Sequence, residues 1–213
     1  MKDVQFCDVF YMDRMDAEPE ESFSALLPQD ALQRASSFLS TKRRADFLWT
    51  RLIVAALAKS RKLKVRLAEN PPYSPVIHSD RPLFCSISHT ATLVGAALCS
   101  RPVAVDLEVL RKDRPIQEIS DRCFGKDFLA FFPEENRLVE FYKAWGVREC
   151  AIKMNARFTS DAGKTNIVLD EKKPVRISHW VLQNTSFTLA FAGEATPVSQ
   201  KLSLGQLKAL LGL

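Results

Sequence analysis

Histidine is scarce in this chain. Only His78, His89 and His179 occur, which argues against a multi-histidine metal centre. The five cysteines, Cys7, Cys85, Cys99, Cys123 and Cys150, are odd in number and none forms a C-x-x-C pair. Neither a disulfide framework nor a zinc site is therefore expected. Several lie in apolar, strand-like runs and read as buried reduced thiols. No run of ~18 apolar residues exists, so no membrane span is expected. The opening MKDVQFCDVFYMDRMDAEPEE carries acids early and lacks a long apolar stretch. That pattern predicts no signal peptide and a cytoplasmic protein. No clear internal repeat and no low-complexity tract is visible.

What is present suits a folded protein. The 213 residues, 46% hydrophobic and 26% charged, are enough for one large domain or two small ones with a real core. The net charge of +5 favours anionic partners: nucleic acid, phosphorylated small molecules or acidic proteins. The charge is unevenly spread. Lys42 to Arg66 holds nine Lys/Arg against one acid, Asp46, a local net of +8. Acids cluster at Asp16 to Glu21 and again from Asp106 onward.

Along the chain, Val4 to Met12 predicts a strand from its aromatic and β-branched residues. Pro28 opens a helix that runs to about Phe38. Ser40 and Thr41 can cap a second helix, Lys42 to Ser60, with Leu48, Leu52 and Ala55/Ala56 on one face and Arg44 and Arg51 on its flanks. The basic start of that helix suits either an anion or plain solvation. Lys64 to Leu67 reads as a short strand and Glu69 to Arg81 as a loop. Leu83 to Ser88 reads as a strand ended by His89. Leu93 to Cys99 and Val103 to Val109 are spaced for an antiparallel hairpin. Short helices are predicted at Ile116 to Phe124 and Lys126 to Phe132, and a long one from Glu134 to about Ala156. Asn166 to Leu169, Arg176 to Leu182 and Phe187 to Ala192 read as strands, and Leu202 to Leu213 as a terminal amphipathic helix.

Two stretches carry chemistry. In VAVDLEV, side chains alternate across the sheet. Val103, Val105 and Leu107 face a core, while Ala104, Asp106 and Glu108 face the other way. The two carboxylates then sit roughly 7 Å apart by Cα. They repel unless a cation or hydrogen bonds compensate, and a hard ion such as Mg²⁺ takes one or two carboxylates together with phosphate oxygens. A water-facing acidic strand edge is the alternative. In FYKAWGVRECAIK, Trp145, Glu149 and Lys153 lie four residues apart on one helix face. A solvated Glu–Lys pair and a catalytic pair share that spacing.

SISHT at Ser86–Thr90, VAVDLE at Val103–Glu108 and WGVRECAIK at Trp145–Lys153 occur in that order. Together they resemble the motifs of the 4′-phosphopantetheinyl transferases, in particular the long monomeric type that activates fatty-acid, polyketide and nonribosomal-peptide carrier proteins. The basic helix RRADFLWTRLIVAAL resembles the Arg-containing helix that precedes those motifs. The resemblance covers roughly Ser40 to Lys153. It implies an α+β fold of two similar α/β halves in a pseudo-twofold arrangement, 1–101 and 102–213, with coenzyme A between them.

The activity implied is transfer of 4′-phosphopantetheine from coenzyme A to a serine of an apo acyl or peptidyl carrier protein, dependent on Mg²⁺ and releasing 3′,5′-ADP. Position by position, Asp106, Glu108 and Glu149 correspond to the metal ligands. Strand alternation reaches the first two independently. His89, with Ser88 beside it, corresponds to the histidine at the coenzyme 3′-phosphate. Lys153 corresponds to the lysine near the pyrophosphate, which could protonate the leaving group or help remove a proton. Glu149 is the implied base, directly or through a metal-bound water. Arg44, Arg51 and Arg148 are the further candidates for coenzyme contacts, and Trp145 is expected to pack the helix.

The pattern departs from the family at Arg148, where a lysine is usual, and at Ala104, where glycine is usual. Tyr73-Ser74-Pro75 also lacks the basic residue of the family loop. A coenzyme- or carrier-holding protein of the same fold without transfer activity is the alternative that this last departure motivates. A basic nucleic-acid-binding module is a further alternative, although no nucleic-acid motif accompanies the basic segment.

Overall fold

The computed structural model describes residues 5–71, 74–169 and 175–213. Val4 of the expected first strand and Tyr73 of the expected loop lie outside these residues. The fold is mixed α+β. In chain order it begins β1 (Cys7–Asp13), α1 (Glu21–Ser24), α2 (Gln29–Ser36), α3 (Thr41–Ser60), β2 (Arg66–Ala68), β3 (Val76–His78), β4 (Phe84–His89) and β5 (Leu93–Cys99). It continues β6 (Val103–Val109), α4 (Ile116–Cys123), α5 (Arg137–Lys153), β7 (Arg157–Asp161), β8 (Lys164–Val168), β9 (Val175–Leu182), β10 (Thr185–Ala192), β11 (Val198–Lys201) and α6 (Leu204–Leu211). Single 3-10 turns at Phe128–Phe131 and Glu134–Asn136 precede α5.

The chain divides into two compact units, Met1–Val103 with Glu194–Leu213, and Ala104–Gly193. The expected halves were sequential. The last segment instead belongs with the first unit, because β11 pairs in parallel with β1 and so completes that unit's sheet. The sheet runs β11-β1-β5-β4. Helix α3 is capped as its sequence predicts, Ser40 Oγ accepting from the Arg43 N–H. Its apolar side chains, Trp49, Leu52, Ile53 and Leu57, are buried in one core with Phe10 and Leu98 of the sheet and Leu207 and Leu211 of α6. Helix α6 starts on a capping box, Ser203 and Gln206 satisfying each other's backbone N–H.

The second unit has a sheet β6-β10-β9, and a separate hairpin β7-β8. The expected β5–β6 hairpin does not form. Both edges of β5 are taken, by β1 and β4, and β6 pairs with β10 in the other sheet. The strand in Glu69 to Arg81 (β3), the first arm of the β7-β8 hairpin and β11 were not foreseen. Each is short, or polar enough to lack an alternating apolar pattern.

Helix α5 packs against β10 through Gly146. A β-carbon there would lie 2.1 Å from Thr188 Oγ1 and 2.7 Å from Thr188 Cβ, so only glycine permits this approach. Val147, Cys150 and Ala151 of α5 are buried with Ala104 of β6 and Ala190 of β10. Gly146→Ala should destabilise the fold by about 2 kcal/mol, because overpacking outweighs the roughly 1 kcal/mol gained in helix propensity. Urea unfolding checks this, and an unchanged or higher midpoint would contradict the packing described.

Candidate functional site

The acidic motif strand does not have the water-facing side that alternation alone allowed. Ala104, Val105, Asp106 and Leu107 are all buried, Asp106 at 6% exposure. Helix α5 covers the side that carries Ala104, and its last turn reaches Asp106. The Lys153 ammonium donates 2.8 Å to Asp106 Oδ1 and 2.8 Å to the Val105 carbonyl. The Glu149–Lys153 ladder suggested by spacing is thus replaced by two other pairs. Lys153 turns to β6, and Glu149 Oε1 accepts 3.0 Å from its neighbour Arg148.

Glu108 is oriented by an indole. Trp145 Nε1–H donates 3.0 Å to Glu108 Oε1. Trp145 also packs, its ring stacked on Phe141 with centroids 6.1 Å apart and planes 21° apart. Packing was the expected role, and the hydrogen bond adds to it. Arg114, in the connection between β6 and α4, lies 4.6 Å over the same indole. Its Nη1 is 3.6 Å from Glu108 Oε2. Arg148 lies 5.4 Å from that ring. Arg114 drew no attention in the sequence. It is one basic residue in a charged connection, and nothing in its spacing aims it at Glu108.

The electrostatics treat the carboxylates as a group. Burial raises the Glu108 carboxyl above the usual carboxylate range, and the negative charges of Asp106 and Glu149 add to the rise. Arg114 and the Trp145 hydrogen bond oppose it. Burial by itself would lower the Lys153 ammonium, but Asp106, with Cys150 and Glu149, together hold it above the ordinary lysine value. Asp106 Oδ2 is buried without a hydrogen-bond partner.

A hard cation suits carboxylate donors, and one of these, Asp106, presents a buried oxygen without a partner. Among the described residues, however, no group of three or more His, Cys, Asp and Glu is arranged to hold a metal ion. Each of the three carboxylates is instead drawn to a cation of its own: Lys153, Arg114 or Arg148.

The other predicted residues lie in the first unit. Ser88 and His89 end β4. Ser88 is buried and His89 about half exposed. His89 Nδ1 sits 3.7 Å from Asp46 Oδ2. Asp46 itself is gripped by Arg14, at 2.6 Å and 3.2 Å, a pairing not visible in sequence because the two are far apart along the chain. Arg44 Nε donates 2.6 Å to Glu18. Arg51 is buried, donates to both carboxylate oxygens of Glu69, and lies 3.6 Å over Phe47. Its charge is thus neutralised inside the unit.

No family model matches the sequence, and no curated protein matches it. No helix among the described residues is long and apolar enough to cross a membrane.

The raised Glu108 pKa has a defined sign. A carboxyl whose folded pKa lies above its unfolded value costs stability as pH rises from the unfolded value through the folded one. Below the unfolded value it costs nothing. In chelator-treated protein, Glu108→Gln should therefore melt at a higher temperature than the parent at pH 7, with the difference closing near pH 4. A variant less stable than the parent at pH 7 would contradict the cost of burying Glu108 beside Asp106.

Proposed function

We propose that the protein transfers 4′-phosphopantetheine from coenzyme A to a serine of a carrier protein. The observation that carries the reading is the convergence of Asp106, Glu108, Glu149 and Lys153 from two separate sequence motifs on one strand–helix junction. The ordered resemblance of SISHT, VAVDLE and WGVRECAIK supports it. So does the make-up of the two units, each a sheet with one long helix packed on it, as expected of two similar halves.

In this reading Asp106, Glu108 and Glu149 would hold Mg²⁺. When bound, the ion offsets negative charge on the coenzyme pyrophosphate. The residues of the chain do the rest. Glu149 accepts the proton of the carrier serine hydroxyl. The serine oxygen forms a bond to the phosphorus that bears the pantetheine arm, and the bond from that phosphorus to the bridging oxygen of 3′,5′-ADP breaks. Lys153 donates to a carbonyl and a carboxylate and so stays an ammonium. It stabilises or protonates the departing phosphate rather than acting as the base. Arg148 supplies positive charge for the coenzyme phosphates. The protein acts as a monomer on coenzyme A and an apo carrier protein.

Incubation with coenzyme A, Mg²⁺ and a panel of apo carrier proteins should add about 340 Da, the mass of the transferred group, to at least one carrier. No mass shift on any carrier would overturn the proposal. Asp106→Ala and Glu149→Ala should each slow transfer by at least about a hundredfold, the upper range for loss of metal-site support. Near-normal rates would show the ligands to be assigned wrongly. Coenzyme binding without transfer to any carrier would select a holding protein of the same fold, the reading that the missing basic residue at Tyr73-Ser74-Pro75 motivates.

A further inference from the structure

We propose that Arg114 is a built-in counter-ion for Glu108 that has to leave when a divalent cation binds the Asp106, Glu108 and Glu149 carboxylates. The inference rests on the metal assignment made above and concerns a residue outside all three sequence motifs. Three carboxylates and three side-chain cations already balance one another here. A divalent ion added beside all three cations meets repulsion, so at least one of them must move.

The contacts decide which. Lys153 is tied by two 2.8 Å hydrogen bonds, one of them to a backbone carbonyl. Arg148 makes a 3.0 Å hydrogen bond to Glu149. Arg114 approaches Glu108 only to 3.6 Å, beyond hydrogen-bonding distance. Glu108 does not depend on Arg114 for its orientation, because the Trp145 indole N–H holds its other oxygen.

Arg114 is placed by aromatic faces instead. It lies 4.6 Å over Trp145, 5.4 Å over Phe141 and 5.5 Å over Tyr142. A guanidinium resting on rings can slide away from a carboxylate without breaking a hydrogen bond to it. Arg114 is therefore the cation that yields. While in place it keeps the acidic site compensated and weakens the binding of metal alone.

The test measures Mn²⁺ binding to the intact protein, without coenzyme, from the electron paramagnetic resonance signal of free Mn²⁺. Arg114→Gln should bind Mn²⁺ about fivefold more tightly than the parent, the scale for removing one partly exposed charge at this distance. Arg114→Lys, which keeps the charge, should stay within about twofold of the parent. Should the glutamine variant fail to fold, Arg114→Met removes the charge while leaving an apolar stem on the indole, and the same criterion applies. Unchanged or weaker binding in the neutral variants, with measurable binding in the parent, would overturn the role of Arg114 and leave the metal assignment standing. No Mn²⁺ binding by the parent or by any variant would overturn both.

Discussion

The Lys153 ammonium is the tie on which the second unit's chemistry depends. Its two hydrogen bonds, to the Val105 carbonyl and the Asp106 carboxylate, fasten the last turn of α5 to the middle of β6. Without it Asp106 is a buried carboxylate with no cation. Breaking one side of a buried pair costs about 3–5 kcal/mol when the other charge stays behind. The tie is possible because α5 lies low on the sheet, and it lies low because Gly146 faces Thr188. A missing side chain in one turn of the helix thus sets where a charged side chain lands two turns later.

From that tie the other groups follow in order along the helix. Trp145 reaches Glu108, Glu149 is held by Arg148, and Lys153 reaches Asp106. The arrangement leaves one oxygen, Asp106 Oδ2, without a partner inside a buried setting. An orphaned charged oxygen is costly in a protein interior. In the function proposed, a divalent cation would give that oxygen its partner.

Much of this was legible in the sequence, because it rests on local periodicity. Alternation in VAVDLEV put Asp106 and Glu108 on one side of a strand, and four-residue spacing put Trp145, Glu149 and Lys153 on one side of a helix. Helix α3 and its Ser40 cap were equally local. What failed was long-range. The i, i+4 rule paired Lys153 with Glu149, yet a buried carboxylate on β6 was the stronger partner. The β5–β6 hairpin was inferred from a short connection, but the edges of β5 were already occupied. The basic run from Lys42 to Arg66 looked like a bare cationic face. In the fold Glu18, Glu69 and Asp8 reach Arg44, Arg51 and Arg61 from distant parts of the chain. That pairing compensates three of the nine cations of the run.

The central claim is that the Asp106, Glu108 and Glu149 carboxylates act with a divalent cation to hold coenzyme A. It is tested most directly by calorimetric titration of the protein with coenzyme A, once in Mg²⁺ and once in chelator. The account predicts that removing Mg²⁺ weakens binding by at least about tenfold, a coupling of about 1.4 kcal/mol, and that Asp106→Asn binds as weakly in Mg²⁺ as the parent does in chelator. Coenzyme binding of equal strength in Mg²⁺ and in chelator would contradict it.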